Sequence, residues 1–137
     1  MTSWRPGWDS VPPALLDFWT VRHLCTLATV RADGRPHVVP VGTTLDLEER
    51  CAWVITNDGS VKARHLAEPG PVAICQVDGR HWATIEGVGS VRSDRASVDR
   101  AVERYAARYR QPRENPSRVA IRVEVERVMC SAGLLST

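Results

Sequence analysis

The stretch from Arg118 to Glu126 alternates with a period of two: Val119, Ile121, Val123 and Val125 fall on one face, Arg118, Arg122, Glu124 and Glu126 on the other. Successive side chains of an extended strand point to opposite faces, so this spacing predicts a strand with one dry and one wet face. No other segment of the chain limits its fold as tightly.

Other segments read as strands by composition and by the turns that bound them. Residues 24–31 and 36–44 are separated by Ala32-Asp33-Gly34-Arg35, and an Asp-Gly pair in that position marks a tight hairpin that sets the two runs antiparallel. Residues 51–56 follow a charged turn, Glu48-Glu49-Arg50. Residues 72–77 end at a second Asp-Gly pair, Asp78-Gly79, and a further run extends from His81 to about Val91. Gly87 and Gly89 within it are expected to mark bends or close backbone approach.

One helix precedes the strands and two interrupt them. Pro12 and Pro13 stand where a helix can begin, and Ala14-Leu15-Leu16-Asp17-Phe18-Trp19 has helical spacing to about Val21. Ser60 is a good N-cap for a helix over residues 61–67, which Pro69-Gly70 ends. Near Ser93-Asp94 a longer one starts, with Val98, Ala101, Val102, Tyr105 and Tyr109 on one face. Six antiparallel strands with short flanking helices describe a mainly β chain, a closed or nearly closed barrel rather than a sandwich or an α/β sheet. Residues 1–12, rich in Pro, Gly and Trp, read as an N-terminal arm that frays or packs on a neighbour through Trp4 and Trp8. Residues 13–137 read as a single domain.

A chain of 137 residues suits one domain and can bury roughly two-thirds of its unfolded surface. The net charge of +2 is spread along the sequence, without the basic runs interleaved with aromatics that nucleic acid requires. No apolar stretch has the length of a membrane helix or a signal-peptide core, so a cytoplasmic protein without membrane attachment is expected. Cys25, Cys51, Cys75 and Cys130 form no C-x-x-C pair, and free buried thiols are expected rather than a zinc or redox site. His23, His37, His65 and His81 lack metal-ligand spacing, and no metal is predicted. Gly87-Val88-Gly89 opens no helix, so it is not a dinucleotide fingerprint. No spacing singles out a catalytic acid, base or nucleophile.

One compositional exception points to chemistry. Of eighteen basic residues seventeen are arginine, and the single lysine, Lys62, stands in Thr56-Asn57-Asp58-Gly59-Ser60-Val61-Lys62-Ala63-Arg64. Lysine offers a compact, rotatable ammonium where arginine offers a planar fork. With hydroxyls from Thr56 and Ser60, a helix start, and Arg64 as a second cation, the segment reads as a phosphate clamp or as an ordinary solvated helix start. In Val38-Val39-Pro40-Val41-Gly42, proline and glycine disfavour a central ladder position. The strand either leaves backbone groups free for the edge of a planar heterocycle or is an edge strand protected by its proline. Trp82, beside Arg80 and His81, either covers a ligand ring or packs in a core or interface.

Taken in order, Pro36-His37-Val38-Val39-Pro40-Val41, Val54-Ile55-Thr56, Ser60, Lys62-Ala63-Arg64, Gln76-Val77-Asp78-Gly79, Trp82, Glu86-Gly87, Asn115-Pro116, Arg118-Val119 and Glu126-Arg127-Val128 resemble the pyridoxamine 5'-phosphate oxidase-like split β-barrel proteins. Within them the chain is most similar to the actinobacterial deazaflavin-dependent group that uses coenzyme F420, and there to its biliverdin reductases. The resemblance spans residues 14–135. It implies a six-stranded split β-barrel of the FMN-binding type, a homodimer with cofactor sites at the interface, and a reduced deazaflavin that gives a hydride to an organic acceptor such as biliverdin. It further implies that Thr56, Ser60, Lys62 and Ala63 hold the cofactor phosphate with Arg64 nearby, and that Val39, Pro40, Val41 and Gly42 underlie the ring. Gln76, Arg80 and Trp82 would reach the partner's site. Arg35 and His37 are candidates for steadying substrate carboxylates. The basic closing segment of the pyridoxamine phosphate oxidases has no counterpart in Gly133-Leu134-Leu135-Ser136-Thr137, which argues against their reaction. The alternatives are an FMN-binding oxidoreductase of the same fold, and a non-catalytic binder of a deazaflavin or tetrapyrrole.

Overall fold

The computed structural model describes residues 2–135; Ser136 and Thr137, counted above in the domain and its closing segment, lie outside them, as does Met1 of the arm. The chain runs β1 (Thr2–Trp4), α1 (Pro13–Thr20), β2 (Cys25–Val30), β3 (Pro36–Val41), β4 (Thr44–Asp46), β5 (Cys51–Asn57), α2 (Val61–His65), β6 (Gly70–Asp78), β7 (His81–Arg92), α3 (Arg95–Arg108) and β8 (Arg118–Cys130). Short 3-10 turns follow β1 and β8 at Trp8–Ser10 and Ala132–Leu135.

All pairings are antiparallel, in the order β3-β2-β6-β7-β8-β5-β4, with β1 also on β8. The two ends of that path, β3 and β4, are joined in sequence by only Gly42 and Thr43. Strands that close in the chain must be close in space, so the sheet rolls up on itself and stays unpaired between β3 and β4. That open seam splits the barrel. Both predicted hairpin turns form, with Gly34 at φ 91° and Gly79 at φ 61°, the left-handed region that glycine enters without steric cost.

The barrel is filled by Leu27, Ile74, Ile85, Ile121, Val123 and Val128, all fully buried, and is plugged from one end by Leu15 and Trp19 of α1. α3 lies outside it over β5 and β8, where Ala101 meets Cys51, Trp53 and Ala120. The wet face expected for β8 is therefore only partly wet. Ala120 is buried beneath α3 and the Arg122 guanidinium sits 5.4 Å from the Trp53 ring, so full exposure on that face begins only at Glu124.

Eight strands replace the predicted six. The arm expected to fray or dock on a neighbour instead adds β1 to its own chain, pairing Thr2 with Cys130 and Trp4 with Val128, and Trp4 is buried with the Trp8 ring edge-on at 5.6 Å. The run 36–44 breaks at Gly42-Thr43, and its end becomes β4, which pairs Thr44 with Trp53. Gly87 does mark close approach: β7 shifts register between Glu86 and Gly87, and a Cβ there would meet the Glu124 carbonyl oxygen at 2.0 Å. Cys25, Cys51 and Cys130 are buried free thiols, and Cys75 is half-buried and free. No helix among the described residues is long and apolar enough to cross a membrane.

Candidate functional site

α2 is capped as its sequence predicts. The Ser60 hydroxyl oxygen accepts the Ala63 amide at 3.2 Å and the Thr56 hydroxyl at 3.0 Å. A hydroxyl carries one proton and two lone pairs, so the Ser60 O–H remains free to donate outward. Thr56 closes the end of β5 onto the same turn, and Asp58 joins it to the start of β8 through its amide on Ser117 O at 2.9 Å.

Lys62 and His65 stand one turn apart on α2, and β2 and β3 bring two more groups to them. His65 Nδ1 lies 2.9 Å from the hydroxyl of buried Thr29, and Thr29 is the cross-strand partner of His37. The His37 and His65 rings meet edge to face at 5.2 Å. Burial, reinforced by the positive neighbours Arg31, His65 and Lys62, holds the His37 imidazole below the usual histidine range. Burial likewise lowers Lys62 from the usual lysine range. Among the described residues no ion pair engages Lys62, His37, His65 or Arg31, and His37 Nδ1 is buried without a hydrogen-bond partner. His37 and Lys62 thus sit among donors that no ion pair neutralises among the described residues. A bound anion relieves their repulsion.

The remaining predicted residues are spread more widely. β3 is an edge strand, with Val39 packed against the core, Val41 buried, and Pro40 exposed on the opposite face. Gly42 has a second reason to be bare, since a Cβ there would lie 2.8 Å from Tyr105 of α3 and 3.0 Å from Tyr109 just after it, two stacked rings. Arg64 is exposed and reaches back to the Gly59 carbonyl at 3.4 Å. Arg35 is paired with Asp33 at the hairpin tip, at 2.8 Å.

Gln76 points inward rather than toward any neighbour. Its amide donates to Phe18 O at 2.9 Å and accepts from Arg108 Nη2 at 2.6 Å, and the side chain is fully enclosed. Trp82 is half-buried at the start of β7, with its amide on Ser131 Oγ, and Arg80 is exposed in the turn before it. Sequence reasoning missed Thr29 and His65. His65 carried a signal, since it follows Lys62 by three residues and so shares its helix face.

Four hollows lie against α1, α3 and the segment after α3, and Ser60, Lys62 and His65 line none of these four. The outer face of β3, β2 and β6 is largely apolar. The register aligns Val38, Ala28 and Ala73 in one row and Pro40, Thr26 and Cys75 in the next, bounded on β7 by Glu86 and Thr84, with Val38 and Val77 each 58% exposed.

The architecture and the segment around Lys62 can be set beside known proteins. The family model for pyridoxamine 5'-phosphate oxidase matches residues 11–130. The chain belongs to this family. Within the pyridoxamine 5'-phosphate oxidase family, it is 50% identical over 120 residues to the F420H(2)-dependent biliverdin reductase of Mycobacterium tuberculosis (strain CDC 1551 / Oshkosh), a match that covers 88% of each chain. Among solved structures, the conserved hypothetical protein Rv2991 from Mycobacterium tuberculosis superposes with a TM-score of 0.71 at 24% identity, over 85% of this chain and 81% of that one. An F420 reductase superposes with a TM-score of 0.64 at 21% identity, over 82% of this chain and 94% of the other. These structures share the fold, a split β-barrel.

Proposed function

We propose that the protein is an F420-dependent reductase, acting on an organic acceptor such as biliverdin. The observation that carries the reading is the cluster of Lys62, His37 and His65 with a free Ser60 O–H, which lacks any carboxylate and contains an unpartnered donor-acceptor atom, His37 Nδ1. That donor set fits a phosphate. The 50% identity with a relative named for this cofactor supports the choice of deazaflavin over FMN.

When bound, the reduced deazaflavin supplies the hydride, and the chain's own share is to bind, orient and keep water away. Lys62 and Ser60 hold the phosphate, with Thr56 fixing the Ser60 oxygen. His37, given first as a substrate contact, sits better as a third phosphate contact. The free edge of β3 leaves the backbone from Val39 to Gly42 for the ring to lie against, while the Val39 and Val41 side chains turn into the core. Arg64 reaches an extended anionic tail by leaving Gly59. Arg35 reaches substrate only by releasing Asp33.

A second copy of the chain would cover the apolar outer face of β3, β2 and β6 and turn the open rim beside Lys62 into a groove. Soluble monomers rarely leave so continuous an apolar patch bare. In that dimer Arg80 and Trp82 remain candidates for the partner's site, whereas Gln76 is committed to Arg108 within its own chain.

The test is a fluorescence titration of the purified protein with F420 and, in parallel, with FMN, followed by biliverdin added to the reduced complex. Tight F420 binding with bleaching of biliverdin is the expected result. Tight FMN binding with no F420 affinity would overturn the deazaflavin reading, and F420 binding without turnover of any acceptor would leave a carrier.

A further inference from the structure

At the opposite end of β5 from Ser60 and Lys62, where Trp53 pairs with Thr44, a cavity of about 430 Å³ opens between α1, β4 and α3. Its walls hold an unusual set of unspent donors. The Trp19 indole N–H, the Thr44 hydroxyl and the Arg104 Nε–H are buried and have no hydrogen-bond partner among the described residues, and all three residues line this one space. Trp19 is 2% and Thr44 3% exposed. Buried polar groups are almost always paired, by protein, water or ligand.

The charge of the walls selects the partner. Arg100, Arg104 and Arg108 follow one another at every fourth position of α3 and line the cavity together. The two carboxylates of the lining, Asp46 and Glu48, are both taken by Arg100. Among the described residues Arg104 meets only the Leu45 carbonyl, at 3.2 Å, and has no counter-ion, while the Arg108 guanidinium is spent on the carbonyl oxygens of Val21, Thr43 and Gln76, so Arg104 is the cation left for a ligand in the cavity. Leu16, Leu45 and Ala107 supply an apolar wall.

We propose that this cavity is a second ligand site, separate from the cofactor clamp, which takes a small organic acid. The carboxylate lies against Arg104 Nε, the Trp19 N–H and the Thr44 hydroxyl, and the hydrocarbon body lies against Leu16 and Ala107. The site does not depend on the identity of the cofactor.

Benzoate and its uncharged isostere benzamide serve as probes, and the Trp19 indole N–H is read by proton-nitrogen correlation spectroscopy of the full chain. Millimolar benzoate is expected to shift the Trp19 indole signal saturably. The Trp53 indole, already bonded to Asp46 at 3.0 Å, should stay in place. Thr44→Val and Arg104→Lys should each weaken benzoate by about tenfold or more, the scale of one hydrogen bond to a charged group. An unmoved Trp19 signal, equal binding of benzamide, or unchanged affinity in both variants would overturn the proposal.

Discussion

Asp46 receives both prongs of Arg100, at 2.7 and 2.9 Å, although the two residues are 54 positions apart. The carboxylate is also bonded by Trp53 Nε1 and by the Glu49 amide, each at 3.0 Å, so a fully buried charge has every lone pair engaged. This contact fixes α3 on β4, and with it Arg104 and Arg108.

Removing one partner of such a pair strands the other. Arg100→Met should cost about 3 kcal/mol or more of stability, read as a lower urea midpoint. Burial pushes the Asp46 carboxyl up, but the hydrogen bonds from Arg100, the Glu49 amide and Trp53 outweigh it and hold the group well below the usual carboxylate range. A folded-state value below the unfolded one, near 3.9, contributes stability that is complete at neutral pH and is lost as pH falls through and below about 4. The difference between parent and variant should therefore narrow on acidification. A difference that stays constant down to about pH 3 would show that the ion pair is not its source.

Lys62→Ala should weaken cofactor binding by about 1.5–3 kcal/mol, the scale of a charge-assisted hydrogen bond. Lys62→Arg should also weaken it, because a planar fork does not replace a point donor at a single phosphate oxygen. A fluorescence titration, with circular dichroism as the folding control, measures both. Unchanged affinity in Lys62→Ala would move the phosphate elsewhere.

Gly42→Ala separates two explanations of the same glycine. If the residue is bare to admit Tyr105 and Tyr109, the variant should lose about 1–3 kcal/mol of stability through overpacking, while the folded fraction keeps its cofactor affinity. A variant that is stable but binds poorly would instead place the glycine beneath the ring.

Val38→Arg puts a charge in the middle of the apolar outer face, beside Ala28. Sedimentation equilibrium should report a monomer for the variant and a dimer for the parent, with cofactor binding lost alongside. A parent that sediments as a monomer at all concentrations would remove the groove from the proposed site.

Local patterns made most of this fold legible. The alternation in β8, the Asp-Gly hairpins and the Ser60 and Asp94 caps act over a few residues, and the structure has each of them. What was illegible depends on distant partners. Thr2-Ser3-Trp4 has no strand pattern of its own and is extended because β8 offers Val128 to Cys130 as an edge. β4 hides because its end buries an aspartate, which in sequence reads as a turn and in space is the partner of Arg100. The clamp divides in the same way. Ser60 and Lys62 are neighbours in sequence, whereas Thr29 and His37 reach His65 only once β2 and β3 have paired. Gln76 entered only through the family resemblance, and its contact within the chain, Arg108, lies 32 residues further on, where no local pattern points.

β1 also has a meaning for how the protein is made. Its partners, Val128 to Cys130, follow it far along the sequence, while domains begin folding from the N-terminal side during synthesis. Thr2 to Trp4 are thus made well before the strand they settle on. Until β8 exists, Trp4 is an apolar side chain without a home, available to whatever meets nascent chains.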